Sequence, residues 1–353
     1  MKIFRLLSLR FLILAWGSVM AGGSVGAGAQ AALPDVVKPP PSINLGSTSF
    51  YDGFGRVKAG VTVLEYFRWS HGTEIADANG GENAKFIAPR IDSFPSLTQL
   101  IVASKWHPLG GTAGFSILVP LVEVRASFAA DSPKTLSVHG FSLGDIIAGP
   151  TFQSRPFLHR PALEGYARTA QGLIPPPRTG PYPYLSYRVQ FLVQAPSGGF
   201  DRATSINPGS GYWAVIPYLA VTSIPRPRFE MSTRLHYQYN LPTTKIANPP
   251  PIPHLVYLNG QAGQLVYGNF TGSYRFTGKL YVGANSYGVY QLSPDKTNGV
   301  SVGKARETQF YLGPGGGYDF SNSDTLNVNL YLKLETHNAV SGPSLQMLYI
   351  HRF

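Results

Sequence analysis

Apolar and polar residues take turns from Phe229 to Asn240. Phe229, Met231, Leu235, Tyr237 and Tyr239, with Thr233 among them, alternate with Glu230, Ser232, Arg234, His236, Gln238 and Asn240. Residues i, i+2 and i+4 of an extended chain share a face, so the pattern predicts a strand with one side suited to lipid and the other to water. Leu326, Val328, Leu330, Leu332 and Leu334 stand in the same way against Asn327, Asn329, Tyr331, Lys333 and Glu335. Leu185, Tyr187, Val189, Phe191 and Val193 likewise oppose Ser186, Arg188, Gln190 and Gln194. One such stretch of about ten residues is a weak sign, but its recurrence is the signature of a transmembrane barrel.

Read along the whole chain, the pattern predicts strands near 60–69, 95–106, 111–124, 141–154, 184–195, 211–223, 228–240, 262–276, 278–292, 306–319, 324–335 and 343–353. The expected fold is therefore all-β, a transmembrane antiparallel β-barrel of about twelve strands over residues 57–353. Closure satisfies every backbone hydrogen bond inside the membrane and leaves no exposed edge. Short connections near 107–110, 224–227, 277 and 320–323 belong on the periplasmic side, with the longer ones outside. The connection 155–183 breaks that rule, and its prolines and the stretch Pro161 to Leu173 read as an insertion rather than two further strands.

Both ends of the chain agree with export to an outer membrane. Lys2, Arg5 and Arg10 precede a mostly apolar run, Phe11 to Met20, and Ala29-Gln30-Ala31 is a small-x-small cleavage site, so residues 1–31 read as a signal peptide. The run is too short for a spanning helix of about 20 residues. At the other end Leu345, Met347, Tyr349, His351 and Phe353 share a face, and an aromatic last residue resembles the signal by which bacterial barrels are recognised for assembly. Tyr349 and Phe353 would carry it. The bland reading is the closing strand of a soluble sheet. Residues 32–56 contain Phe50, Tyr51, Asp52 and Phe54 among glycines, and two readings stay open: a plug folded into the lumen, or a periplasmic tail.

Composition points the same way. Only 13% of residues are charged, against roughly 25% in soluble domains, while Tyr and Phe number 20 each, as the aromatic girdles of a barrel would require. The 39 Gly and 30 Pro argue against long helices. With no cysteine there are no disulfides, and stability must come from the architecture.

Several separate strings carry a resemblance. Thr48-Ser-Phe-Tyr-Asp-Gly-Phe-Gly-Arg56, Tyr66-Phe67-Arg68-Trp69, Val119-Pro120-Leu121-Val122, Gly144-Asp145, Phe200-Asp201-Arg202, Asn248-Pro-Pro-Pro-Ile-Pro253, Lys296-Thr-Asn-Gly-Val300 and Ile350-His-Arg-Phe353 occur in one order. In that order they resemble the phenol-degradation meta-pathway transporter family (MetA-pathway of phenol degradation), from about Ile43 to the end. The resemblance implies a proteobacterial outer-membrane protein that passes hydrophobic or aromatic molecules, and it brings no catalytic residues. The stretch 155–183 is longer than the family's usual pattern.

Enzymatic and metal chemistry find little support. His139 and Ser142, three apart on a strand, would face opposite sides, and Gly22-Gly-Ser-Val-Gly26 lies in the signal peptide, without a strand-turn-helix context. The eight His residues show no paired ligand spacing, so neither metal nor cofactor is expected. The net charge of +11 falls to +8 once Lys2, Arg5 and Arg10 leave. Export argues against nucleic acid as a partner. Basic loop residues such as Lys85, Lys134, Arg202, Lys245 and Lys304 would instead meet lipopolysaccharide phosphates, beside outer-membrane lipids and the barrel-assembly machinery.

Candidates to line the lumen are Arg68, Arg188, Glu230, Arg234, His236, Tyr331, Lys333 and Glu335. Their mixed signs suggest a transverse field, with Glu230 near Arg234 and Lys333 near Glu335, or residues that only solvate a closed interior. The leading expectation is an outer-membrane channel of a Gram-negative cell for passive uptake of small hydrophobic or aromatic solutes. A structural or adhesive barrel is the alternative, and a lipid-modifying enzyme the third.

Overall fold

The computed structural model describes residues 33–40, 46–48, 50–155 and 184–353. The expected signal peptide and nearly all of the 155–183 connection lie outside them. Twelve long strands follow in order: β1 Gly60–Gly72, β2 Arg90–Ala103, β3 Thr112–Ser127, β4 Ile147–Gln153, β5 Tyr184–Gln194, β6 Ala214–Arg226, β7 Phe229–Asn240, β8 Leu265–Arg275, β9 Leu280–Gln291, β10 Thr308–Asp319, β11 Asp324–His337 and β12 Ser344–Arg352. Each pairs antiparallel with the next. β12 returns to β1, so that Tyr66 lies between Leu348 and Leu97 and the barrel is closed. Among the described residues the one helical element is a single turn, Pro108–Gly110.

The alternation along each strand becomes two surfaces. Leu219, Leu235, Val282, Leu312, Val328 and Leu330 stand outward, each 39–45% exposed, which in water would be an unprotected apolar belt and in a bilayer is the lipid face. Near the short-turn end aromatics gather, with Tyr274 against Phe276 at 5.1 Å and Tyr318 against Phe320 at 5.0 Å, as an interfacial girdle does. Tyr349 and Phe353 are exposed at that same end, and Tyr349 donates to Asp324 at 2.6 Å. The opposite end carries the long loops, trimmed by two-residue pairings such as Glu74–Ile75 with Val340–Ser341.

Two expected strands differ by more than three residues at an end, each for a local reason. The strand expected at 141–154 is cut to Ile147–Gln153, and only Ser142–Leu143 pair again with β3. Between them Asp145 turns inward and accepts hydrogen bonds from the Ser210 and Gly198 amides at 2.7 and 2.9 Å and from Gln194 Nε2 at 3.1 Å, tying down the loop after β5. β2 starts at Arg90, five residues early, and holds Pro95 in its interior. Proline has no N–H to give, and the β1–β2 ladder skips Phe94 and Pro95.

One register slip overturns a lumen assignment. Phe310 pairs with Glu335 but Tyr311 with Lys333, so an extra residue, Leu334, bulges in β11. A bulge resets which face later residues take. Glu335 consequently lies outward beside Phe310, with its side chain 62% exposed and bonded to His337 at 3.0 Å, rather than facing the lumen. Lys333 sits at the long-loop rim and pairs with Glu74, not with Glu335.

Candidate functional site

The inner faces of β5 to β9 form rows across the barrel, and the side chains in each row decide what can lie against it. One row is Ser186, Thr222, Ser232 and Thr271, all small hydroxyl residues. It leaves room for a backbone. Gly53 occupies that room: its amide donates to Thr222 Oγ1 at 2.8 Å, and its carbonyl accepts from Ser186 Oγ and Gln153 Nε2, each at 3.0 Å. A Cβ on Gly53 would come within 2.3 Å of the Thr222 backbone nitrogen, so the close approach requires glycine.

The next row sets Arg188, Ala220 and Arg234 side by side on β5, β6 and β7. The two long cations flank a methyl group, and Asp52 bonds to both of them. Arg234 holds Asp52 through Nε at 2.6 Å and a second guanidinium nitrogen at 2.8 Å, and Arg188 adds a bond at 3.0 Å. The paired guanidinium of Arg234 lies 5.1 Å from the Tyr218 ring. Charge-assisted bidentate bonds of this kind are among the strongest available, and these are buried, with the two arginine side chains 7% and 2% exposed.

Neighbouring contacts extend the grip on both sides. The Tyr51 amide donates to Glu230 at 2.9 Å, and Glu230 also accepts from Ser273 at 2.8 Å and from Ser232. Arg275 sits over the rings of Tyr51 and Tyr281, at 5.1 and 4.6 Å, and bonds to Asp319 at 2.8 Å. Phe50 meets Tyr281 edge to face at 5.7 Å. Toward the long loops, Tyr331 donates to the Gly46 carbonyl at 3.0 Å, and Tyr287 stacks on Tyr311 at 4.7 Å. Further out, the Pro34 carbonyl accepts from Thr297 at 2.7 Å and the Val36 carbonyl from the Ala247 amide at 3.2 Å. There Asp35 pairs with Lys38 and neighbours the buried carboxyl of Asp295. The described residues between Pro34 and Phe54 thus bond to or pack on the barrel at points from the long loops toward the short turns.

Beside this geometry stand the likenesses to other proteins. The family profile for the MetA-pathway of phenol degradation matches residues 67–348. The chain belongs to this family. An outer membrane channel from Pseudomonas putida F1 superposes with a TM-score of 0.66 at 14% identity, over 87% of this chain and all of that one, which shows a shared fold. The β domain of the Bordetella autotransporter BrkA and the translocator domain of the autotransporter NalP from Neisseria meningitidis reach 0.42, each at 10% identity. They cover 84% and 86% of this chain, and 100% and 91% of their own. Scores that low bear on nothing beyond the general likeness. No curated protein matches the chain.

In this MetA-pathway family member, Arg68, Arg188, Glu230, Arg234, His236 and Tyr331 are all buried on inner faces. His236 stacks on Tyr267 with ring centres 4.3 Å apart. Glu230 and Arg234 do not pair with each other; the partner of Arg234 is Asp52, from the segment before β1. Sequence reading gave no role to Arg275, Ala220, Gly53, Arg56 or Arg352. Arg275 and Arg352 follow from strand parity, being two residues beyond the inward Ser273 and Ile350. Gly53 and Ala220 carry no such mark, because what distinguishes them is a partner far away in the chain.

Proposed function

We propose that this chain is an outer-membrane channel for passive uptake of small hydrophobic or aromatic compounds, with residues 33–56 as a plug inside its lumen. The observation that carries the reading is the row contact of Asp52 and Gly53 with the inner wall. A segment held there by side-chain bonds narrows the barrel and presents Phe50, Tyr51 and Phe54 as apolar faces along the route. Flat apolar solutes gain from such faces, and hydroxyl-bearing ones find polar partners in the inner rows. Arg68, His236 and Tyr331 line that route; Lys333 guards its outer rim.

The family's association with phenol degradation supports an aromatic cargo, and no energy-coupling motif argues for more than diffusion down a gradient. Delivery to a Gram-negative outer membrane by the signal peptide 1–31, insertion by the barrel-assembly machinery through Tyr349 and Phe353, and contact of the basic loops with lipopolysaccharide complete the proposal. Intact cells test it, because the lipopolysaccharide leaflet is the barrier that a channel must bypass. Cells expressing the chain should accumulate labelled biphenyl faster than vector controls. Equal rates would favour a barrel that only stiffens the envelope.

A further inference from the structure

At the short-turn end, between residues 50–56 and the inner faces of β1, β2 and β12, lies a cavity of about 90 Å³. Part of its wall is built in rows: Ala103 in the outermost, Arg352, Thr62 and Ile101 in the next, Ile350 and Leu64 after them, and Leu348 deepest. An apolar floor of Leu64, Ile101, Leu348 and Ile350 therefore runs inward from a cationic rim.

The charges around the cavity do not balance. Arg188 is paired with Asp52 and Arg275 with Asp319. Arg56 and Arg352 also line it, and no further carboxylate does. Arg352 gives one bond, to Thr325 Oγ1 at 3.0 Å, and that hydroxyl is itself engaged with Asp319 at 2.9 Å. The Arg352 Nε and the Arg56 Nε and Nη1 are buried without a hydrogen-bond partner. Buried donors in native proteins are seldom left so, and each such group calls for an explanation. A planar fork of N–H groups matches a carboxylate.

We propose that this cavity binds a small apolar acid, an arene carboxylate of one ring, with its carboxylate between Arg56 and Arg352 and its ring on the floor of Leu64, Ile101, Leu348 and Ile350. This deepens the channel reading and rests on it for the route by which the acid arrives. The site selects a charged head on an apolar body: a bare anion would forgo the floor, and a neutral arene would leave the guanidiniums unpaired.

Calorimetric titration of the full-length protein in a non-ionic detergent tests this, with benzoate, benzamide and inorganic phosphate as probes. Benzoate should bind at least about tenfold more tightly than either of the others, and R56Q and R352Q should each remove that preference while the barrel keeps its heat-modifiable migration. Equal binding of benzoate and benzamide, equal binding of benzoate and phosphate, or a preference untouched in both variants would overturn the proposal. The channel reading has a separate readout. Biphenyl uptake by cells without a benzoate preference overturns the acid site alone, whereas arginine-dependent benzoate binding in a barrel that speeds no uptake retains the site and removes the channel.

Discussion

The described residues before β1 meet the barrel at two places, and the two are built differently. At mid-barrel one carboxylate, Asp52, meets two guanidiniums, and Gly53 bonds to Thr222, Ser186 and Gln153 of the wall. At the long-loop mouth the balance reverses: Asp35, Asp295 and Glu307 surround the half-exposed Lys38. The first is a site with matched charges, shape and donors. The second holds more carboxyl groups than cations, and so depends on protons. A fixed clamp and a titratable latch on one segment would let its outer part loosen while its inner part stays.

Breaking the clamp should have the largest effect. Asp52→Ala would leave two buried guanidiniums without their carboxylate, a change that costs about 3–5 kcal/mol when a buried ion pair loses one member. Hydrogen exchange at residues 50–55 should rise by roughly two to four orders of magnitude, while β-strand amides keep their protection. Gly53→Ala comes next. The added methyl meets wall backbone rather than a flexible side chain, so overpacking should cost about 1–3 kcal/mol, read as a smaller rise in the same exchange.

The mouth supplies the gentlest test. Burial first, and then the neighbouring Asp35, push the Asp295 carboxyl up to about 8 against the pull of Lys38. The share of that rise that Asp35 brings on docking contributes docking stability that is full while Asp295 is protonated in both states and is lost as the pH climbs through about 8. Protection of residues 33–38, corrected for intrinsic exchange, should therefore fall between pH 6 and pH 9. Asp295→Asn has no proton to lose at that position, and the fall should be much reduced. Residues 50–55 should show no such dependence, and if they follow the mouth the distinction between the two sites fails.

Much of the architecture was legible because a barrel wall is a local code. Leu235 and Arg234 declare opposite faces within two residues, and the declaration is read without knowing what pairs with what. Parity failed where the chain breaks its own period. The bulge at Leu334 carries no glycine or proline to announce it, so Glu335 was assigned inward and lies outward. Asp145 ended a strand early by accepting bonds from Gly198 and Ser210, more than fifty residues away. The clamp lies furthest from such a code. Asp52 finds Arg188 and Arg234 across separations of 136 and 182 residues, and nothing local to Asp52 says which of the inward cations it will meet. Composition around Phe50 to Gly55 left plug and tail equally open, and only the contacts favour the plug.

On the proposed reading, a segment clamped by Asp52 narrows a barrel that would otherwise be wide enough to conduct ions. Single-channel conductance in planar bilayers, comparing the wild-type protein with Asp52→Ala at pH 7, tests it most directly. The wild type should show small or absent ion conductance, and the variant frequent, larger openings. Identical traces from two correctly folded proteins would contradict it.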